Sequence, residues 1–385
     1  MKFLGYIRPD GSVGVRNHVL VLSSVVCANH ISQKIADALP GTAVFCHSSG
    51  CGQLGADKEQ TQRTLDGIAM NPNIAAVLVV SLGCEGSSAE RMVEKMQASG
   101  RPAALVRIQE CGGTTAAVNA GIDIVRKMHE KCMRQDREEA DISDLSVSLE
   151  CGGSDATSGI SANPLVGWVS DRLISLGARV ILSETPEMIG AEHILSARAA
   201  TPEVGKRVIK IVKDVEESAN SMHVDLRGTQ PTPGNIEGGL STIEEKSMGC
   251  LAKAGTSKVA EVVRYGEIPS SKGLVIMDTP GFDVESVTGM VAGGSQVVLF
   301  TTGRGTPVGS PLAPVIKITG NPNVASWMKE NIDFDASPVT LGDESLERAG
   351  ERLFQKLISV VAGEQTASEI LGHSETGITR IGPSL

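Results

Sequence analysis

Short apolar runs alternate with amphipathic segments along most of this chain, and that alternation admits few folds. Apolar runs separated by stretches of helical periodicity mark α/β architecture built on largely parallel sheets. The pattern predicts strands over 18–26, 43–46, 75–81 and 103–108, and helices over 31–39, 57–70, 89–98 and 114–133. A charged stretch over 131–144 reads as a solvated linker, after which the pattern restarts. Strands are then expected over 145–149, 179–182, 274–277 and 296–300, and helices over 164–176, 202–219, 242–254, 286–292 and 346–361. The expected fold class is α/β, with two domains, residues 1–140 and 141–385, each a largely parallel sheet flanked by helices. A length of 385 residues exceeds one ordinary core and suits that division.

Composition excludes several classes. A formal charge of −10 lacks the basic surface that a nucleic-acid binder needs. The N-terminus has no signal-peptide stretch and no apolar run is long enough to span a bilayer, so a cytoplasmic protein is expected. Eight cysteines in that reducing setting are not read as disulfides. Cys51, Cys84, Cys111 and Cys151 each adjoin a glycine in a loop, whereas Cys27 and Cys132 read as packing residues.

The polar residues gather where the strands end. His47-Ser48-Ser49-Gly50-Cys51-Gly52 follows the second strand, Gly83-Cys84-Glu85-Gly86 the third, and Glu110-Cys111-Gly112-Gly113-Thr114 the fourth. In the second half the same places hold Glu150-Cys151-Gly152-Gly153-Ser154-Asp155, Glu184-Thr185-Pro186-Glu187, Asp278-Thr279-Pro280-Gly281 and Thr301-Thr302-Gly303-Arg304-Gly305-Thr306. Ligands of open parallel sheets bind outside the carboxyl ends of the strands. Any one of these loops is explained by a helix cap, since Ser, Thr and Asp are favoured there. Seven together point to a site.

No familiar cofactor fingerprint accounts for them. Gly50, Gly52 and Gly55 match Gly-x-Gly-x-x-Gly, but after the second strand and with no ribose-binding acid at the required distance. No Walker loop and no Cys-x-x-Cys zinc framework is present. Carboxylates with a histidine suit a divalent cation such as magnesium, manganese or iron(II), and thiolates shift the choice toward iron or zinc. Three or four converging thiolates would instead hold an iron–sulfur cluster.

Read in order, the motifs resemble the altronate dehydratase and galactarate dehydratase family. The segments that carry the resemblance include Gly14-Val15-Arg16-Asn17-His18, Gly83-Cys84-Glu85, Glu150-Cys151-Gly152-Gly153-Ser154-Asp155 and Glu184-Thr185-Pro186-Glu187. Pro233-Gly234-Asn235, Glu245-Lys246-Ser247, Asp278-Thr279-Pro280-Gly281 and Thr301-Thr302-Gly303-Arg304-Gly305 continue it over nearly the whole chain. The resemblance implies a metal-dependent hydro-lyase of a sugar acid, using iron(II) first and manganese(II) second. It also implies a separate small SAF-type subunit and an oligomeric assembly, because the chain begins at the large-subunit motif. One branch resembles sulfolactate sulfo-lyase, which expels sulfite rather than water.

Elimination next to a carboxylate needs a positioned base, a stabiliser for the developing enediolate and a polarised leaving group. Candidate metal ligands are Cys84, Glu85, Glu150, Cys151, Asp155, Glu184 and Asp278, for each of which a cap or a surface ion pair is the competing role. Lys246 and His47 are the candidate bases, with Arg304 a bidentate clamp for the substrate's acidic group. Arg16, Asn17, Ser154, Asn235, Thr301 and Thr302 are candidate substrate contacts, and Arg16 and Asn17 could equally brace the domain interface. A non-catalytic binding subunit is the competing class; the number of loaded loops argues against it. The two sets of loops place the expected site where the domains face each other.

Overall fold

The apolar runs form the strands of two parallel sheets, and a third, antiparallel sheet joins them. In the computed structural model, which describes residues 1–132 and 134–385, the first half holds β1 (Lys2–Ile7), β2 (Val13–Gly14), β3 (His18–Ser23), β4 (Thr42–Phe45), β5 (Ile74–Ser81), β6 (Ala103–Arg107) and β7 (Glu138–Asp141). The second half holds β8 (Ser146–Cys151), β9 (Arg179–Leu182), β10 (Val259–Val263), β11 (Gly273–Met277), β12 (Val297–Thr301), β13 (Val315–Thr319) and β14 (Phe334–Asp335). The parallel sheets run β4-β3-β5-β6 and β10-β11-β9-β8-β12-β13-β14, and the antiparallel one β2-β1-β7. The α/β expectation therefore holds. The helix expected over 114–133 spans Thr114–Cys132, and Met133 lies outside the described residues.

One expectation needs correction. The segment 131–144 is not all solvated linker, because β7 lies within it and pairs with β1, Phe3 opposite Ala140. The sheets also share apolar packing: Leu22, Phe45 and Leu65 lie in one buried cluster with Ile181, Met277, Val298 and Phe300. Helix Gly55–Met70 packs on helix Asp283–Ala292 so closely that a Cβ at Gly67 would overlap the Ala292 carbonyl. Buried amides pin this contact. Asn71 Nδ2 donates to Val291 O at 2.8 Å, and Asn73 Nδ2 to Gln296 O at 3.0 Å.

In the seven-stranded sheet, β8 lies between β9 and β12, the point at which the chain's progress across the sheet reverses. Register puts Glu150 beside Phe300 and Cys151 beside Thr301, so the acidic segment leaves the sheet at its switch point. Among the described residues no helix is long and apolar enough to cross a membrane.

Candidate active site

Three pieces of backbone converge beyond the end of β8. Glu150 and Cys151 are its last residues. After β9 the chain turns at Glu184, whose φ of 65° and ψ of 61° place a non-glycine residue in the left-handed region. Such a conformation costs on the order of 1–3 kcal/mol and persists where its surroundings fix it. Here the Thr279 hydroxyl receives the Glu184 N–H at 2.7 Å and the Thr279 carbonyl the Thr185 N–H at 3.0 Å. The following turn, Thr185–Met188, brings Glu187 back beside Glu184. Helix Ile243–Leu251 and the turn after it supply Lys246, Cys250 and Lys253, spaced i, i+4, i+7 on one face.

These side chains form a buried cluster. The Cys151 thiol donates to Glu187 Oε2 at 3.0 Å and lies 3.6 Å from Cys250 Sγ. Lys253 Nζ lies 2.5 Å from Glu184, both fully buried, and Lys246 Nζ lies 2.9 Å from Glu187. Glu150 Oε2 accepts from Ser286 at 2.6 Å, while its Oε1 is buried with no partner. Among the described residues, the only set of three or more His, Cys, Asp or Glu donor atoms within 4.8 Å of one another is that of Cys151, Glu184, Glu187 and Cys250.

Burial and crowding set the protonation. Burial raises Glu184 to about 7, reinforced by Glu187 and opposed by Lys253. Burial and the nearby Glu184 hold Glu150 well above the carboxylate range, and burial with Glu187 lifts Asp283 to about 6. Glu187 is also buried, yet Lys246 and Lys253 bring it below its ordinary value. Burial works against the Lys246 charge, but Glu187 outweighs it and pushes this ammonium up to about 12.

Charge counting shows what the cluster lacks. Glu150, Glu184, Glu187 and Asp283 are four carboxylates that face two ammonium groups, Lys246 and Lys253. With these six groups ionised and the Cys151 and Cys250 thiols still protonated, the deficit is two positive charges, which one divalent cation supplies. Without a cation the surplus carboxylates hold protons, as the raised values of Glu150, Glu184 and Asp283 describe. Mixed thiol and carboxylate donors, and the orphaned Glu150 oxygen, fit iron(II) or a similar divalent ion. A cavity of about 180 Å³ opens onto the cluster between Glu187, Gln230, Lys246, Ser247 and Gly281.

The family described as "D-galactarate/Altronate dehydratase, C-terminal" matches residues 142–384, and its "second domain" counterpart matches residues 5–133. The chain belongs to the galactarate/altronate dehydratase family. It is 37% identical to an altronate dehydratase of Bacillus subtilis, over 100% of this chain and 78% of that one. It is 38% identical to a (2R)-sulfolactate sulfo-lyase subunit beta of Chromohalobacter salexigens, over 98% of this chain and 97% of that one. A galactarate dehydratase (L-threo-forming) of Escherichia coli is 35% identical over 99% of this chain and 77% of its own length.

Within this family frame, the structure brings Glu150, Cys151, Glu184 and Lys246 together and sends the other expected residues elsewhere. Asp278 accepts from the Thr185 hydroxyl at 2.7 Å and supports the turn from behind. Asp155 caps the next turn through Ser158 N–H at 3.0 Å and holds Asn321 at 2.9 Å. Arg304 borders a separate recess of about 360 Å³ with Asp155 and Trp327, and its guanidinium donates to Glu237 and Gly234 O. Asn235 ties Ser154 O at 2.9 Å, Thr301 donates to Asn163 at 2.6 Å, and Thr302 accepts from Gly305 N–H. These three carry loop architecture.

The N-terminal candidates lie on the other sheet. Arg16 pairs with Glu369 at 2.7 Å and donates to Val360 O and Glu364 O, which is the bracing alternative. Asn17 joins Arg8 to Cys132 O. Both His47 ring nitrogens are taken, Nε2 by Ser23 O at 2.8 Å and Nδ1 by Ser49 N–H at 3.1 Å, and burial lowers the ring to about 4. It has no nitrogen free to act as a base. Glu85 is held by Ser24 Oγ and Gly83 N–H, and Cys84 beside it is exposed.

Cys250, Lys253 and Asp283 escape the motif reading, and Glu187, although it stands in the Glu184-Thr185-Pro186-Glu187 loop, is not among the candidate ligands. The helical spacing Lys246, Cys250, Lys253 is visible in the sequence and would have found two of them. A further recess, of about 810 Å³, lies beside helix Gly55–Met70. Within it Asp66 pairs with Lys95 and Arg264 with Glu267, and it holds none of the cluster.

Proposed function

We propose that this chain is a metal-dependent lyase that removes water from a small hydroxylated carboxylic acid at the Glu184–Glu187 cluster. The observation that carries the reading is the buried set of thiols, carboxylates and lysines at the switch point, short of two positive charges and open to a cavity. Membership of a dehydratase family supports it. Cys151, Glu184, Glu187 and Cys250 would hold the cation, which when bound supplies Lewis-acid polarisation of the substrate's oxygens.

The chain's own groups do the rest. Lys246 keeps its charge and lines the cavity, so it attracts and orients the substrate carboxylate. Glu187 reaches the cavity wall, where Lys246 and Lys253 keep its carboxylate ionised although it is buried. Lys253, fully buried, keeps the Glu184 and Glu187 carboxylates tolerable in a site that excludes water. We assign Arg304 to the neighbouring recess, as a contact for the far end of a longer substrate or for a small partner subunit.

A second reading is favoured by one observation. The cavity of about 180 Å³ is smaller than the ~300–1,000 Å³ usual for ligand pockets, and a three-carbon acid suits it better than a hexonate. Sulfolactate, with loss of sulfite, is therefore the alternative substrate, and the sulfo-lyase subunit is among the relatives. The deciding experiment removes metal with a chelator, restores iron(II) or manganese(II), and assays altronate, galactarate and sulfolactate. Metal-restored loss of water supports the first reading and release of sulfite the second. Turnover unaffected by chelation would overturn both.

A further inference from the structure

The carboxyl edge of the four-stranded sheet carries a second concentration of thiols that the lyase reading does not use. Cys27, Cys51 and Cys84 stand on the three loops that follow β3, β4 and β5, strands that are neighbours in the sheet. All three are free and exposed, although cysteine is among the residue types most often buried. Cys27 is thus not the packing residue its apolar neighbours suggest.

The three loops are tied to one another. Val26 N–H donates to Ser49 O at 3.0 Å, and Gly86 N–H donates to Gly50 O at 2.9 Å. Ser24 Oγ donates to Glu85 Oε1 at 2.5 Å, which joins the first loop to the third. Gly50, at φ 104°, presses on the first loop so closely that a Cβ there would stand 2.6 Å from Ser24 O. Each thiol is one or two residues from such a bond: Cys27 follows Val26, Cys51 follows Gly50, and Cys84 precedes Gly86. This is also the sheet's own switch point, since β3 lies between β4 and β5.

We propose that Cys27, Cys51 and Cys84 form a three-thiolate site for an iron–sulfur cluster, distinct from the buried acid cluster. Spacing favours a cluster over a single ion. Sulfurs about 2.3 Å from one zinc stand roughly 4 Å apart. The three edge thiols are not all within 4.8 Å of one another, so no ready-made single-ion site exists, while the hydrogen bonds between their loops keep them on one edge of the sheet, where a polynuclear centre can bridge them. On ligation each thiol releases its proton to solvent as its sulfur bonds to iron. Three thiolates leave one iron of a four-iron cluster without a protein sulfur, open to an oxygen ligand such as water or a hydroxy acid.

The test uses the full chain and no substrate, so its failure leaves the lyase reading standing. The purified protein is incubated anaerobically with ferric iron, sulfide and dithiothreitol, desalted, and analysed for iron, acid-labile sulfide and visible absorbance. About four iron and four sulfide per chain are expected, with a broad visible band and an electron paramagnetic signal on reduction. Cys27→Ser, Cys51→Ser and Cys84→Ser should each weaken the band severalfold, and the triple variant should abolish it. Cys132→Ala, in a buried helical position, should retain it, and circular dichroism of each variant checks the fold. A chain that takes up no iron and sulfide, one that binds only zinc at these cysteines, or a band that survives in the folded triple variant would overturn the proposal.

Discussion

Lys246 pairs with Glu187 and Lys253 with Glu184 in one cluster, but their surroundings assign them different work. The Lys253 side chain has no exposure, and that of Lys246 retains 14% at the cavity wall. Removing Lys253 strands Glu184 and Glu187 in a dry interior, a change that typically costs about 3–5 kcal/mol. Lys253→Met should therefore lower the urea midpoint sharply, whereas Lys246→Met should spare most of the stability and remove most of the turnover. Equal stability losses in the two would refute this division. A second prediction concerns protons. The cation needs Glu184 and Asp283 ionised, and these hold protons up to about 7 and about 6. Metal affinity should rise with pH through about 6 and 7 and go on rising above that, because contact with Cys250 and burial hold the Cys151 thiol well above the ordinary thiol range, with proton release visible by calorimetry in buffers of different ionisation heat. At this scale the sequence exposed Glu150, Cys151 and Glu184 because they adjoin glycine- or proline-marked turns. Asp283 stayed hidden, and Glu187 was visible in its loop but not as a ligand, since only the left-handed turn at Glu184 and the packing of helix Asp283–Ala292 bring them in.

Elements with a strong period were legible and short edge pieces were not. β5, buried at every residue, and helix Leu346–Val361, with its buried stripe, fall where their patterns put them. β2 and β14 are two residues each, and β7 is Glu-Glu-Ala-Asp; pairing with neighbours, not propensity, makes them strands. Helix Gly55–Met70 shows the same override. Ala is favoured over Gly in a helix interior by roughly 1 kcal/mol, yet Gly67→Ala should destabilise the chain, because the added methyl meets the Ala292 carbonyl. A raised melting temperature in that variant would show that the two helices separate without cost. His18 and His47 at opposite ends of β3 and β4 add a pH term. Burial lowers each from 6.5 to about 4, so the folded state binds fewer protons than the unfolded chain as pH falls. Their contribution is present above about pH 6.5 and is lost progressively toward 4. The urea midpoint should decline across that window, less steeply in His47→Gln.

The whole molecule is closed by its last residues, which leave the seven-stranded side and return to the thiol-bearing edge of the other sheet. Thr376 Oγ1 donates to Cys46 O at 2.6 Å, Arg380 pairs with Asp57 at 2.8 Å, and Leu385 N–H reaches Gly52 O at 3.0 Å. Ile378 enters the apolar packing shared by both sheets. The segment thus adds a tie between two bodies that also meet through helices Gly55–Met70 and Asp283–Ala292, the Asn73–Gln296 bond and the Arg16–Glu369 pair. Ile378→Ala should cost about 2–5 kcal/mol, the usual range for emptying such a position. Removing residues 376–385 should do something different in kind. The seven-stranded sheet keeps its own large core, whereas the four-stranded sheet loses partners at the ends of β4 and beside Asp57. Amide hydrogen exchange should therefore quicken in β3–β6 while protection in β8, β9 and β12 is retained. If both sheets lose protection together, the two bodies unfold as one unit and the tail is not what couples them.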